Sequence, residues 1–132
     1  MSEHFKKVKD YLQELGFSPI REIESEELVV IEDEDQGIKN LVIDCEYPIL
    51  ILEQFIFELK QDTPSQILKR LLQMNRNLVH GAFAIDDSGT KVLFRDTLQL
   101  QNLDLNEIEA SINALSVAMA ENSVEIVKFA KA

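Results

Sequence analysis

Residues 87–90, Asp87-Ser88-Gly89-Thr90, match the Asp-Ser/Thr-Gly turn in which an aspartic protease presents a carboxylate, and such a dyad can be assembled from two small subunits. The match is only four residues long. The same residues are what a hairpin turn needs, since glycine supplies a positive φ and aspartate bonds the turn backbone. A second chemistry is suggested by eight carboxylates between Arg21 and Asp35: Glu22, Glu24, Glu26, Glu27, Glu32, Asp33, Glu34 and Asp35. A calcium loop begun at Asp33 requires Asp or Asn at its fifth position and Gly at its sixth. Gly37 and Ile38 stand there instead, and the flanking segments are strand-like where a calcium hand needs helices. The acids therefore read as a solvated, self-repelling face, with attraction of a basic client segment as their functional alternative.

The two histidines, His4 and His80, fall on different predicted elements, and a lone cysteine gives no pair to complete a zinc site. Cys45 sits in an alternating strand pattern, where a small buried hydrophobe is the default, and no base can be placed beside it. No serine has a Gly-x-Ser-x-Gly context, and the four glycines form no phosphate loop. None of these tests supports an enzyme. The expectation is a non-enzymatic domain with no metal and no cofactor.

A chain of 132 residues forms one domain, residues 1–132, able to remove roughly two thirds of its unfolded surface from water. A formal charge of −11 opposes binding to nucleic acid, which needs Lys and Arg to displace counterions, and opposes anionic membrane surfaces. The single cysteine and an N-terminus in which lysines interrupt any apolar run predict a cytoplasmic protein. No apolar run approaches the ~20 residues of a spanning helix.

The elements are organised around residues 49–59, Ile-Leu-Ile-Leu-Glu-Gln-Phe-Ile-Phe-Glu-Leu. β-Branched and aromatic residues predict a central strand that is apolar on both faces, with Ile49, Ile51, Phe55 and Phe57 opposing Leu50, Leu52 and Ile56, and a bulge at the polar pair Glu53-Gln54. Residues 3–15 predict a helix from the spacing of Phe5, Val8, Leu12 and Leu15, with Ser2 as cap and Gly16 as stop. Residues 20–23 are either a short edge strand or an extended connection. Residues 28–31 and the alternating segment around Leu41, Ile43 and Cys45 predict two strands leading by Tyr47-Pro48 into the central one. Thr63 as cap with Pro64 at the first helical position starts a second helix, reaching about residue 77. Residues 81–85 and 91–97 predict a hairpin, and Asp104 with Glu107 opens a long third helix, which residues 124–129 either continue or leave as a tail. The order α-β-β-β-α-β-β-α defines an α+β fold, an antiparallel sheet packed against helices.

Asn40-Leu41-Val42-Ile43-Asp44-Cys45-Glu46-Tyr47-Pro48-Ile49-Leu50, then Arg95-Asp96-Thr97-Leu98, then Leu103-Asp104-Leu105, together with element order, size and low pI, resemble the type III secretion chaperone-like fold, including YbjN-like proteins labelled as chaperones or sensory transduction regulators. The resemblance spans nearly the whole chain. It implies a bacterial homodimer without nucleotide-dependent activity that holds an extended segment of a client protein over apolar patches. On that basis Ile67, Leu68, Leu71 and Leu72 of the second helix are expected at a dimer interface, and Ile49, Ile51, Phe55 and Phe57 at a client. The two faces could be exchanged, and a core covered on both sides of the sheet is the alternative for the client patch. A regulatory adaptor that binds a folded partner is the alternative function.

Overall fold

The structure, a computed structural model, describes residues 2–132. Helix α1 (Glu3–Glu14) begins where the Ser2 hydroxyl accepts the Phe5 N–H at 3.1 Å, and the chain leaves it through Gly16 at φ +89°. Four strands follow: β1 (Arg21–Ile23), β2 (Leu28–Asp33), β3 (Ile38–Glu46) and β4 (Ile49–Glu58). The segment left open between strand and connection is thus β1, paired with β2 from Arg21↔Val30 to Ile23↔Leu28. After α2 (Ser65–Asn75) come β5 (Ala82–Ile85), β6 (Lys91–Gln99) and α3 (Leu105–Lys131). The six strands form one antiparallel sheet in the order β1-β2-β3-β4-β6-β5, and β4 lies inside it between β3 and β6, as its apolar composition predicts.

Local chemistry explains most boundaries. Asp104 and Glu107 exchange the two hydrogen bonds of a capping box at the start of α3, and the helix runs on through Asn122 and Ser123 to Lys131. The start of α2 departs from expectation. The Thr63 hydroxyl accepts the Lys60 N–H at 2.8 Å, closing the turn before the helix, so it is spent one residue early and Pro64 becomes the cap. At the other end of α2, Asn75 reaches the sheet: its amide oxygen accepts the Phe83 N–H at 2.7 Å and its nitrogen donates to the Phe83 carbonyl at 3.1 Å.

All three helices bury their apolar stripes against the same face of the sheet, in one core. Phe5, Val8 and Leu12 of α1, Ile67, Leu71 and Met74 of α2, and Ile108, Ile112, Leu115, Ala118 and Ile126 of α3 meet Val29, Ile31, Leu41, Ile43, Leu50, Leu52, Phe94 and Val92. Polar ties join the layers: Ser111 donates to Asp96 at 2.7 Å, and Arg70 forks onto both carboxylate oxygens of Glu125 at 2.9 Å, holding that carboxyl below its ordinary range. Among the described residues no helix is long and apolar enough to cross a membrane.

The bulge in β4 is displaced from the expected polar pair. Pairing with β6 shifts between Phe55↔Leu93 and Phe57↔Val92, so the extra residue is Ile56. Glu53-Gln54 stays in regular register because Gln54 is bonded within it: its side chain is buried, accepts the Lys39 N–H at 3.0 Å and donates to the Gly37 carbonyl at 3.1 Å. These bonds satisfy backbone at the start of β3, beyond the last β3–β4 pair, Val42↔Glu53.

Candidate functional site: the open face of the sheet

With every helix on one side, the opposite face of the sheet has none over it. Alternation along each strand and register between strands place its side chains in rows. One row runs Ile23, Leu28, Asp44, Ile51, Thr97; the next runs Val30, Val42, Glu53, Arg95, Ala82; Phe55, Leu93 and Ala84 form a third, and Ile49 lies beyond the first. The face is largely apolar, crossed by one ion pair, Arg95 to Glu53 at 3.6 Å. Ile49 and Ile51 are half-buried among their neighbours, and Phe55 stands out at 52% exposure.

The four residues expected at a client are therefore not together. The bulge at Ile56 turns Phe57 through the sheet onto the helix side, where it is 5% exposed with its ring 6.3 Å from that of Phe129. The reading of a single face from Ile49 to Phe57 assumed an uninterrupted period of two, and one inserted residue reverses everything after it. The helix residues divide as well. Ile67 and Leu71 are core, Leu68 is half-buried, and Leu72 is 71% exposed. Leu68, Leu71 and Leu72 join Phe83, Ala84, Ile85 and Val92 in an apolar groove of 340 Å³ at the β5 edge of the sheet. Exposed Ile85 was missed from sequence because β5 reads only as half of a hairpin.

Asp44 is the one charged residue in its row. Its Oδ1 is shut off from solvent without a hydrogen-bond partner, alone in this among the described side-chain atoms. Burial between Leu28 and Ile51, then the fields of Glu46, Glu26 and Glu53, push its carboxyl up from 3.8 to about 6. The adjacent Cys45 points into the core, and burial with the surrounding carboxylates pushes its thiol up to about 12, so it is no thiolate nucleophile. In the Asp87-Ser88-Gly89-Thr90 turn the organising group is Asp86, which accepts from the Thr90 and Lys91 N–H groups at 3.1 Å and from the Ser88 hydroxyl at 2.9 Å, leaving Asp87 exposed. Those bonds, the one from Lys91 first, hold the Asp86 carboxyl below its ordinary range. Of the acidic stretch, Glu27 receives the Ser2 N–H at 2.7 Å and Glu22 pairs with Lys9 at 3.2 Å. His4 stacks near Tyr47, ring centroids 5.3 Å apart. Among the described residues no three His, Cys, Asp or Glu side chains gather as a metal site.

One antiparallel sheet, three helices on one face and an open apolar face on the other define a type III secretion chaperone-like domain. The chain belongs to the CesT_Tir_1 family, whose model matches residues 1–132. No curated protein matches the sequence. Solved structures similar to it include YbjN from E. coli, described as a candidate transcription regulator, at 15% identity and TM-score 0.68 over 91% of each chain. The heterodimeric ExoU–SpcU complex from the type III secretion system of Pseudomonas aeruginosa is similar at 16% identity and TM-score 0.66, over 94% of this chain and 98% of that one. The Yersinia pestis type III secretion chaperone SycH, in complex with a stable fragment of YscM2, is similar at 14% identity and TM-score 0.57, over 96% and 98%. At such identities these likenesses concern the fold.

Proposed function

We propose that this chain is a non-enzymatic protein-binding domain that holds an extended client segment along the open sheet face, at Ile49, Ile51 and Phe55. The observation that carries this reading is the face itself: a six-stranded sheet helix-covered on one side only, with an aromatic ring half in water on the other. An extended chain fits such a surface because alternate side chains reach down into the rows. Phe57, now in the core, supports the face from behind. A second copy docks at the β5-edge groove through Leu68, Leu72 and Ile85, with Ile67 and Leu71 behind them, giving a homodimer with two client faces. The family and the chaperone complexes among its structural neighbours favour this reading. The similarity to YbjN favours an adaptor for a folded partner as the second reading.

Reduced, carboxamidomethylated ribonuclease A and the native enzyme carry comparable positive charge but differ in extension, so together they separate the two. The unfolded form should bind with a negative heat-capacity change and lose affinity about tenfold on Phe55→Glu, whereas native ribonuclease should bind weakly. Equal affinity for both forms, unaffected by Phe55→Glu, would defeat the extended-client reading.

A further inference from the structure

Helix α3 is apolar on two sides. In a chain that is 28% charged, residues 110–120 carry no charged side chain at all. The inward stripe of Ile108, Ser111, Ile112, Leu115 and Ala118 explains half of this by burial. A half-turn away, on the side facing directly from the sheet, Val117, Ala120, Val124 and Val127 follow one another at spacings of three, four and three, and they are in water: Val117 is 52% exposed, Val124 71% and Val127 50%. Helix α1 has no such outer stripe; its outward positions are Lys, Asp, Glu and Gln. A helix that covers a core with one face normally presents charge on the other.

The spacing is that of the a and d positions of a heptad, and the flanking charges say which partner fits. With Val117 and Val124 at a, and Ala120 and Val127 at d, Glu121 and Lys128 both fall at e. In an antiparallel pair of identical helices, e faces e. Sliding two copies so that Val124 of each meets Val127 of the other brings Glu121 of each opposite Lys128 of the other, twice, and lays the Lys131 stem over Ala120. The opposite flank holds only Ser123 and Ala130, small enough for close approach. A parallel pairing in register would bring Glu121 beside Glu121. Within the chain neither residue is committed: Glu125, between them in sequence, is held by Arg70, and no salt bridge among the described residues uses Glu121 or Lys128.

We infer that the outer face of α3 docks an antiparallel α3 of a second copy of this chain, through Val117, Ala120, Val124 and Val127 and two Glu121–Lys128 pairs. This surface is separate from the β5-edge groove. Both contacts are isologous, so a chain using both assembles beyond the dimer.

Sedimentation velocity on the full chain at rising concentration tests it, with the variants Val124→Arg, Glu121→Lys, Glu121→Lys/Lys128→Glu and Leu72→Glu. All four positions are solvent-exposed, so folding is spared. Val124→Arg should remove one association step, Glu121→Lys should weaken that step about tenfold, and the double charge swap should restore it. Leu72→Glu should leave that step in place. Self-association unmoved by Val124→Arg and by Glu121→Lys, or its absence at every concentration, would overturn the proposal. Weakening by Glu121→Lys that the double swap does not relieve would overturn the antiparallel register.

Discussion

Replacing Asp44 by Asn should stabilise the protein, and only above about pH 5. The Asp44 carboxyl lies in an apolar row with its Oδ1 unpaired, and its proton is held to about 6 in the fold against an ordinary 3.8. Between those two values the native state keeps a proton that the unfolded chain has released, so stability falls as pH rises through the window and levels off above it. A window about two pH units wide corresponds at most to about 3 kcal/mol. The Asp44 side chain is only partly withdrawn from water, and screening reduces the expected loss to about 1 kcal/mol. Asn keeps the shape and cannot ionise. Urea unfolding at pH 4.5, 5.5, 6.5 and 7.5, followed by circular dichroism because the chain has no tryptophan, should give near-identical midpoints for both proteins at the lowest pH. At the highest, the Asp44→Asn variant should be the more stable by about 1 kcal/mol, or roughly 4 °C in melting temperature. A difference that stays constant with pH, or a variant that grows less stable towards pH 7.5, would refute the argument that a destabilised carboxylate sits on this face.

Gln54→Leu should cost about 2 kcal/mol by urea unfolding, since it fills the space but leaves the Lys39 N–H and Gly37 carbonyl unpaired; an unchanged midpoint would show that water replaces the amide there. Gly81→Ala should destabilise more than Gly16→Ala, by about 2 kcal/mol, although both glycines have positive φ: a Cβ at Gly81 would lie 2.5 Å from the Phe94 ring, and one at Gly16 would meet nothing within 4 Å. Equal losses at the two positions would mean that the Phe94 ring moves aside freely.

What sequence revealed and what it concealed divide along the range of the interactions involved. Ser2 and the Asp104–Glu107 pair announced their helices because a cap is settled within four residues. The β4 strand was visible from its own composition, and so was its place inside the sheet. The bulge was not, because it depends on how β4 and β6 are aligned, and the polar pair that seemed to mark it proved to be a buried bridge to the start of β3. For the same reason Phe57 was assigned to the wrong side. Thr63 was misread at closer range: two backbone N–H groups competed for one hydroxyl, and the turn took it before the helix could. The four leucine and isoleucine positions of α2 could be recognised as apolar, but the division between Ile67 and Leu71 inside and Leu72 outside reflects where β5 ends, which α2 itself does not encode.

The clasp of Asn75 on Phe83 bears on how the protein survives its own surface. A sheet grows without limit only if each added molecule leaves a fresh edge for the next, and β5, occupied by a side-chain amide at its middle, offers no such landing strip. Growth would have to proceed through β1 alone, three residues long and flanked by Glu22, Glu24 and Glu26, where two copies would bring like charges together. A joint made there would be terminal, since neither molecule has another edge to offer. The molecule can thus expose an apolar sheet face at high concentration and remain a finite particle rather than the seed of a fibre.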